Sequence, residues 1–179
     1  LLDMLKEAGA DTGYVETLDG ASGHAVIQID ESGQNNIIIC GGTNRKITRE
    51  YISSVLEHFG KGDLILLQNE ISNIDFAMEE AKKRGLQVAF NPSPADEGVF
   101  LCNLELVDYF ILNEVEGRIL AGTDSEEPAP ILKALREKYK NAAFVLTLGD
   151  QGAWYCDPEE TSFQDIFRVE AVDTTAAGD

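Results

Sequence analysis

The residues with the clearest chemical potential lie at the end of the chain, in Val172-Asp173-Thr174-Thr175-Ala176-Ala177-Gly178-Asp179. Small side chains and one glycine ahead of an aspartate let successive backbone N–H groups turn toward one anion, as in phosphate-binding nests and at helix N-termini. Ala176, Ala177 and Gly178 would supply the donors, and Asp179 a carboxylate at their rim. Such a set suits phosphoryl transfer, where fixed donors meet the charge on the moving group and a carboxylate takes the proton of an attacking hydroxyl. The same residues also fit a plain Gly-Asp turn after a strand, so the remainder of the chain has to decide between them.

Four further polar groups close apolar runs: Gln68-Asn69-Glu70, Asn91-Pro92, Asn113, and Thr147-Leu148-Gly149-Asp150. Ligands of open α/β sheets sit outside the carboxyl ends of strands, so four such ends in one chain point to one site. Glu70 can accept hydrogen bonds from adjacent hydroxyls, or cap a helix beginning near Asn73. Asn113 and Glu116 fall on one side of a first helical turn, which fits both a ligand-facing pair and a capping box. Gly149 and Gly152, around Asp150 and Gln151, permit close backbone approach to a ligand. His24 and His58 have no partners at catalytic spacing and read as structural or surface residues.

These groups need elements to hold them, and the pattern supplies an alternation of helices and strands. Leu1, Leu2 and Leu5 share one helical face that Gly9 ends, and the absence of a basic start argues against a signal peptide. It reads as the tail of a helix that began before residue 1. His24–Asp30 and Asn35–Cys40 flank Glu31-Ser32-Gly33-Gln34 as a hairpin, whose three consecutive isoleucines could not be buried within it alone. The composition shifts near residue 42. Tyr51, Ile52, Val55, Leu56 and Phe59 then form a helical stripe, and 63–68 is an apolar strand of the kind covered on both faces. A helix carries Ile74, Ala77, Met78 and Ala81 and ends at Gly85; strands follow at 86–90 and 107–112. Helices at 114–121 and around Ile131, Leu132, Leu135 and Tyr139 precede a strand at 143–147 and an antiparallel run from Ala153 to near Val169.

The chain has 179 residues, 14 Lys+Arg against 32 Asp+Glu, and a formal net charge of −18. That balance argues against nucleic acid and anionic membrane as partners, but not against a nucleotide met by local N–H groups. No run of eighteen apolar residues occurs. Cys40, Cys102 and Cys156 are odd in number and widely spaced, suggesting neither a disulfide framework nor a zinc site and fitting a reducing cytoplasm.

The motifs, taken in order, resemble the ribokinase-like (PfkB) carbohydrate kinases. Ala176-Ala177-Gly178-Asp179 resembles the second family signature in the form typical of ribokinases, and Gln68-Asn69-Glu70, Asn91-Pro92-Ser93-Pro94-Ala95, Asn113-Glu114-Val115-Glu116 and Thr147-Leu148-Gly149-Asp150-Gln151-Gly152 match further landmarks. The resemblance implies a mostly parallel sheet flanked by helices, with part of a small β lid at 14–42 and a partial α/β kinase core at 1–13 and 43–179. It implies Asp179 as base and Ala176 to Gly178 as anion hole; Glu70 at the sugar; Asn113, Glu116 and Thr147 to Gly152 at the nucleotide, with Glu116 linked to Mg²⁺; and Asp173 and Thr175 at a potassium site. ATP, Mg²⁺ and K⁺ would be the cofactors, a small sugar the substrate, and a homodimer through the lid the assembly. The implied reaction is phosphorylation of a primary hydroxyl, ribose to ribose 5-phosphate first. Fructokinase, nucleoside kinase, 2-keto-3-deoxygluconate kinase and a non-catalytic sugar- or nucleotide-binding remnant are the alternatives. Asp150 departs from the serine frequent there. The family's first strand, Gly-Gly sugar motif and a further sugar-binding Asp are expected before Leu1 and a helix after Asp179, so the chain alone is expected to be inactive.

Overall fold

A computed structural model describes residues 1–29 and 35–168. The roles expected of Asp173, Thr175, Ala176, Ala177, Gly178 and Asp179, and the turn at Glu31–Gln34, lie outside the described residues.

After helix α1 (Leu2–Glu7), strands β1 (His24–Ile29) and β2 (Asn35–Cys40) pair antiparallel as a separate two-stranded sheet. Val26 opposes Ile38 and Ile27 opposes Ile37, so apolar pairs occupy both faces. All four side chains are more than two-fifths exposed, as the composition of so small a hairpin requires.

Helix α2 (Arg49–Leu56) starts at Thr48, whose hydroxyl accepts from the Tyr51 N–H at 3.1 Å. It ends a turn earlier than the apolar stripe predicts. Phe59 lies beyond it and meets the edge of Tyr14, which also stacks on His58, and the Tyr51 hydroxyl donates to the Tyr14 carbonyl. An aromatic contact from outside the helix therefore takes the last residue of the stripe. His58 and His24 are both exposed, with His24 Nδ1 lying 3.1 Å from the Ser22 carbonyl.

The main sheet runs β3 (Leu64–Gln68), β4 (Gln87–Asn91), β5 (Tyr109–Asn113), β6 (Ala143–Thr147), β7 (Ala153–Cys156) and β8 (Thr161–Gln164), in that spatial order. The first four are parallel neighbours and the last two are added antiparallel. Helices α3 (Ile74–Arg84), α4 (Glu114–Ala121) and α5 (Pro128–Lys138) fill crossovers between parallel strands. Their apolar stripes meet the strand residues of one parity: Leu67, Val88, Phe90, Phe110, Leu112, Phe144 and Leu146 join Met78, Ala81, Leu120, Ile131 and Leu135 in one core. Phe110 and Phe144 stack at 5.4 Å.

The opposite parity behaves differently. Leu64 and Leu66 are 51% and 62% exposed, and Tyr109, Ile111, Val145 and Tyr155 are half-buried on the same face. The expectation that 63–68 is covered on both sides is thus corrected: among the described residues the helices pack on one face only. The link from β4 to β5 also differs from an ordinary crossover. It is built of two 3₁₀ turns, Glu97–Leu101 and Leu104–Leu106, started by Asp96 and Asn103 side chains accepting from Gly98 and Glu105 N–H groups. Segments so short leave no period to read.

Gly152 joins the 3₁₀ turn after β6 to β7 with φ 99° and ψ −151°, where an added Cβ would collide with the Gln164 carbonyl and lie 3.0 Å from Phe163 Cζ. Replacing it by alanine is expected to cost about 2 to 4 kcal/mol from backbone strain and displacement of β8. Urea unfolding of Gly152→Ala beside Gly122→Ala checks this, since Gly122 shares a positive φ of 69° but has open space around it.

Candidate active site

The parallel register sets where the polar strand ends meet. Gln68 pairs with Asn91, and Asn113 with Thr147; Phe90 pairs with Phe110, so β5 and β6 run two residues beyond β3 and β4, and each strand places its last polar residue on the side away from the helical core. Together with Ser93, Ile111, Leu112 and Glu116 these four line a cavity of ≈ 120 Å³. The volume suits an ion with a few waters rather than a whole sugar or nucleotide, whose pockets run to several hundred Å³. A larger cavity of ≈ 570 Å³ lies between α5 and β7, against Leu132, Lys133, Arg136 and Trp154. It contains none of the strand-end residues, and the convergence of four strand ends makes the smaller niche the chemical candidate.

Asn113 and Glu116 form a capping box at the start of α4. The Glu116 N–H donates to Asn113 Oδ1 at 2.9 Å, and the Asn113 N–H donates to Glu116 Oε2 at 2.9 Å. Glu116 is 5% exposed, and none of the ion pairs among the described residues includes it. A buried carboxylate with one backbone donor and no cationic side chain is costly unless something positive sits beside it. The helix dipole supplies part of that. Oxygen donors from Glu116, Asn113, Asn91, Gln68 and Thr147 form the sort of set that a hard divalent ion accepts through water, so these residues fit Mg²⁺. Among the described residues no group of three or more His, Cys, Asp and Glu could hold a metal ion.

Thr147 donates its hydroxyl to the Leu112 carbonyl at 3.2 Å, tying β6 to β5 at their ends. Leu148 is buried, whereas Gly149, Asp150 and Gln151 form an exposed 3₁₀ turn closed by the Leu148 N–H donating to the Gly152 carbonyl at 2.8 Å. Gly149 has φ 55° and open space where a Cβ would be, leaving room for close approach. Asp150 is exposed and in no ion pair among the described residues. Glu70 stands apart from the niche, half-exposed on the loop after β3, and α3 starts with no side-chain capping hydrogen bond, from Glu70 or from Asn73. Asn73, the residue before α3, has φ 60° and donates through Nδ2 to the Ile47 carbonyl at 2.7 Å.

Two contributors to this end of the sheet were given no role from sequence. Ser93 enters the niche wall because its N–H donates to Asn91 Oδ1 at 2.9 Å, a local turn that Asn-Pro-Ser could have signalled. Asp96 receives the Asn69 amide at 3.1 Å, a contact across 27 residues with no local signature.

Residues 1–179, the whole chain, match the profile described as pfkB family carbohydrate kinase. The chain belongs to the pfkB carbohydrate kinase family. It is similar to the deoxyribokinase of Salmonella typhi, 33% identical over 180 residues, covering 98% of this chain and 59% of that protein. It is also similar to the ribokinase of Staphylococcus aureus, 31% identical, covering 100% and 60%. The crystal structure of ribokinase from Thermotoga maritima superposes with a TM-score of 0.76 at 33% identity, over 99% of this chain and 58% of that one. The chain therefore spans about three-fifths of the length of the relatives it matches.

The two functions that Glu116 can serve are separable. Glu116→Ala is expected to lose about 1 to 2 kcal/mol through the broken capping box, whereas Glu116→Gln keeps an acceptor for the Asn113 N–H and should stay within about 0.5 kcal/mol of the parent. Urea denaturation of both variants, with Asn113→Ala alongside, measures it.

Proposed function

We propose that the protein transfers the γ-phosphoryl group of ATP to a primary hydroxyl of a pentose, with ribose or deoxyribose as first candidates. The single observation that carries the reading is the niche at the ends of four parallel strands, with a buried glutamate in its wall, in a chain of this family. Relatives named ribokinase and deoxyribokinase at similar identity support a sugar kinase and divide on which pentose.

In the proposed reaction the Glu70 carboxylate accepts hydrogen bonds from sugar hydroxyls and orients the ring. Thr147 to Gly152 lie along the nucleotide, with Gly149 and Gly152 allowing backbone approach and Asp150 facing solvent or ribose rather than phosphate. Glu116, held by Asn113, would hold Mg²⁺ through water, and the ion would supply charge neutralisation on the phosphates. Asp179 accepts the hydroxyl proton as the sugar oxygen bonds to the γ-phosphorus; the bond to the β-bridging oxygen breaks and ADP leaves. The N–H groups of Ala176, Ala177 and Gly178 stabilise the transferring group, and Asp173 and Thr175 would hold a monovalent cation whose charge would add to that stabilisation. Positioning and charge stabilisation carry most of the rate. The hairpin at 24–40, with apolar side chains open on both faces, is the proposed lid and contact between two copies.

The test is an ADP-release assay on the complete gene product carrying these residues, with ribose, 2-deoxyribose, fructose and adenosine, with and without potassium. A pentose should give the highest kcat/KM and potassium should raise it. Asp179→Asn should lower kcat by roughly 10² to 10⁴, and Glu116→Gln should raise the Mg²⁺ requirement roughly tenfold without unfolding the protein. Turnover undiminished in Asp179→Asn would sink the assignment of the base, and preference for fructose or adenosine would move the substrate. Sedimentation of Ile38→Lys should show monomer where the parent shows dimer.

A further inference from the structure

Among the described residues two polar or charged side chains are buried, Glu116 and Asn69. Glu116 belongs to the niche. Asn69, 7% exposed, sits beside Glu70 and is used by nothing in the reaction above. Its Nδ2 donates to the Pro94 carbonyl at 2.7 Å and to Asp96 Oδ1 at 3.1 Å, so both amide hydrogens are spent on the loop that follows β4. Asp96 Oδ1 in turn accepts the Gly98 N–H at 2.8 Å, which fixes that acceptor in place.

The far side of the β3 loop, which carries Asn69 and Glu70, is fastened as well. Ser72 donates its hydroxyl to the Arg45 carbonyl at 2.7 Å and its N–H to the Asn44 carbonyl at 3.2 Å. Asn73 reaches the Ile47 carbonyl, and Arg45 Nη1 the Ile71 carbonyl at 3.4 Å. Glu70 therefore lies between two anchors, Asn69 tied to the β4 loop and Ser72 tied to the segment that follows the hairpin. Its own carboxylate joins none of the ion pairs among the described residues. A half-exposed glutamate with no side-chain partner among the described residues takes its position from the backbone that carries it.

We propose that Asn69 is a positioning residue for sugar recognition, holding the Glu70 carboxylate in place by clamping the β3 loop to the β4 loop. The assignment rests on the reading of Glu70 as the sugar ligand. An amide at this position brings a donor to each acceptor: aspartate brings none to two acceptors, one of them a carboxylate, and leucine removes the donor to the Pro94 carbonyl and leaves Asp96 Oδ1 with the Gly98 N–H.

The test uses the complete gene product and separates the sugar from the nucleotide. Asn69→Leu is expected to raise the sugar KM roughly tenfold while leaving the ATP KM within about twofold. In a Glu70→Gln background the same substitution is expected to change the sugar KM by less than about twofold, because the group it positions is already altered. A purely structural role would instead raise both KM values together, or add in full to Glu70→Gln, and either result overturns the proposal. So does an unchanged sugar KM in Asn69→Leu. Asp96→Ala, at an exposed position and leaving the Pro94 carbonyl to accept, is the milder companion, expected to raise the sugar KM roughly threefold. If Asn69→Leu does not fold, Asp96→Ala decides by the same criterion. A parent protein that phosphorylates no sugar overturns the reading of Glu70 itself, an outcome distinct from an active parent whose Asn69 variants are unaffected.

Discussion

Parallel pairing in register, from β3 through β6, is the constraint on which the candidate site depends. Because the period along a strand is two, a slip of one residue in any of these pairs would send Asn113 or Thr147 into the helical core and Phe110 or Phe144 out of it. Burial of Phe90, Phe110 and Phe144 on one side is what keeps Asn91, Asn113 and Thr147 on the other. The apolar core thus sets the position of polar groups it does not touch.

The site also shows how one side chain serves local structure and chemistry together. Asn113 and Glu116 satisfy each other's backbone N–H groups, and that same exchange fixes a buried carboxylate at the rim of the niche. Asp96 starts a 3₁₀ turn and receives the Asn69 amide with one oxygen. In both places the cap is the means by which a functional group loses its rotamer freedom, so ordinary helix chemistry and site geometry are not competing accounts.

Much of this was legible in sequence, and the boundary is physical. The strands at 87–91, 109–113 and 143–147 lie within two residues of their predicted ranges because continuous apolar runs bounded by glycine and polar residues admit few readings. The helix at 114–121 was fixed at both ends by its capping box and by Gly122 in the left-handed region. The strand-end residues could be found because an apolar run closing on a polar side chain is a local pattern. Phe59 was misplaced because its partner, Tyr14, is remote in sequence, and the 3₁₀ link at 97–106 was missed because single turns carry no periodicity. The Asn69 clamp was invisible for the same reason as Phe59: its acceptors come from another loop.

The sheet face bearing Leu64 and Leu66, together with the exposed isoleucines of the hairpin, has a calorimetric meaning. The heat capacity of unfolding tracks apolar surface newly exposed to water, typically about 12 to 15 cal/mol/K per residue. Side chains already wet in the folded chain contribute little to that change. The heat-capacity increment of these 179 residues studied by themselves should then fall below that range, with a flattened stability curve. Covering that face and the hairpin would raise the increment and sharpen the curve, so the covering of apolar surface could be followed by heat flow alone.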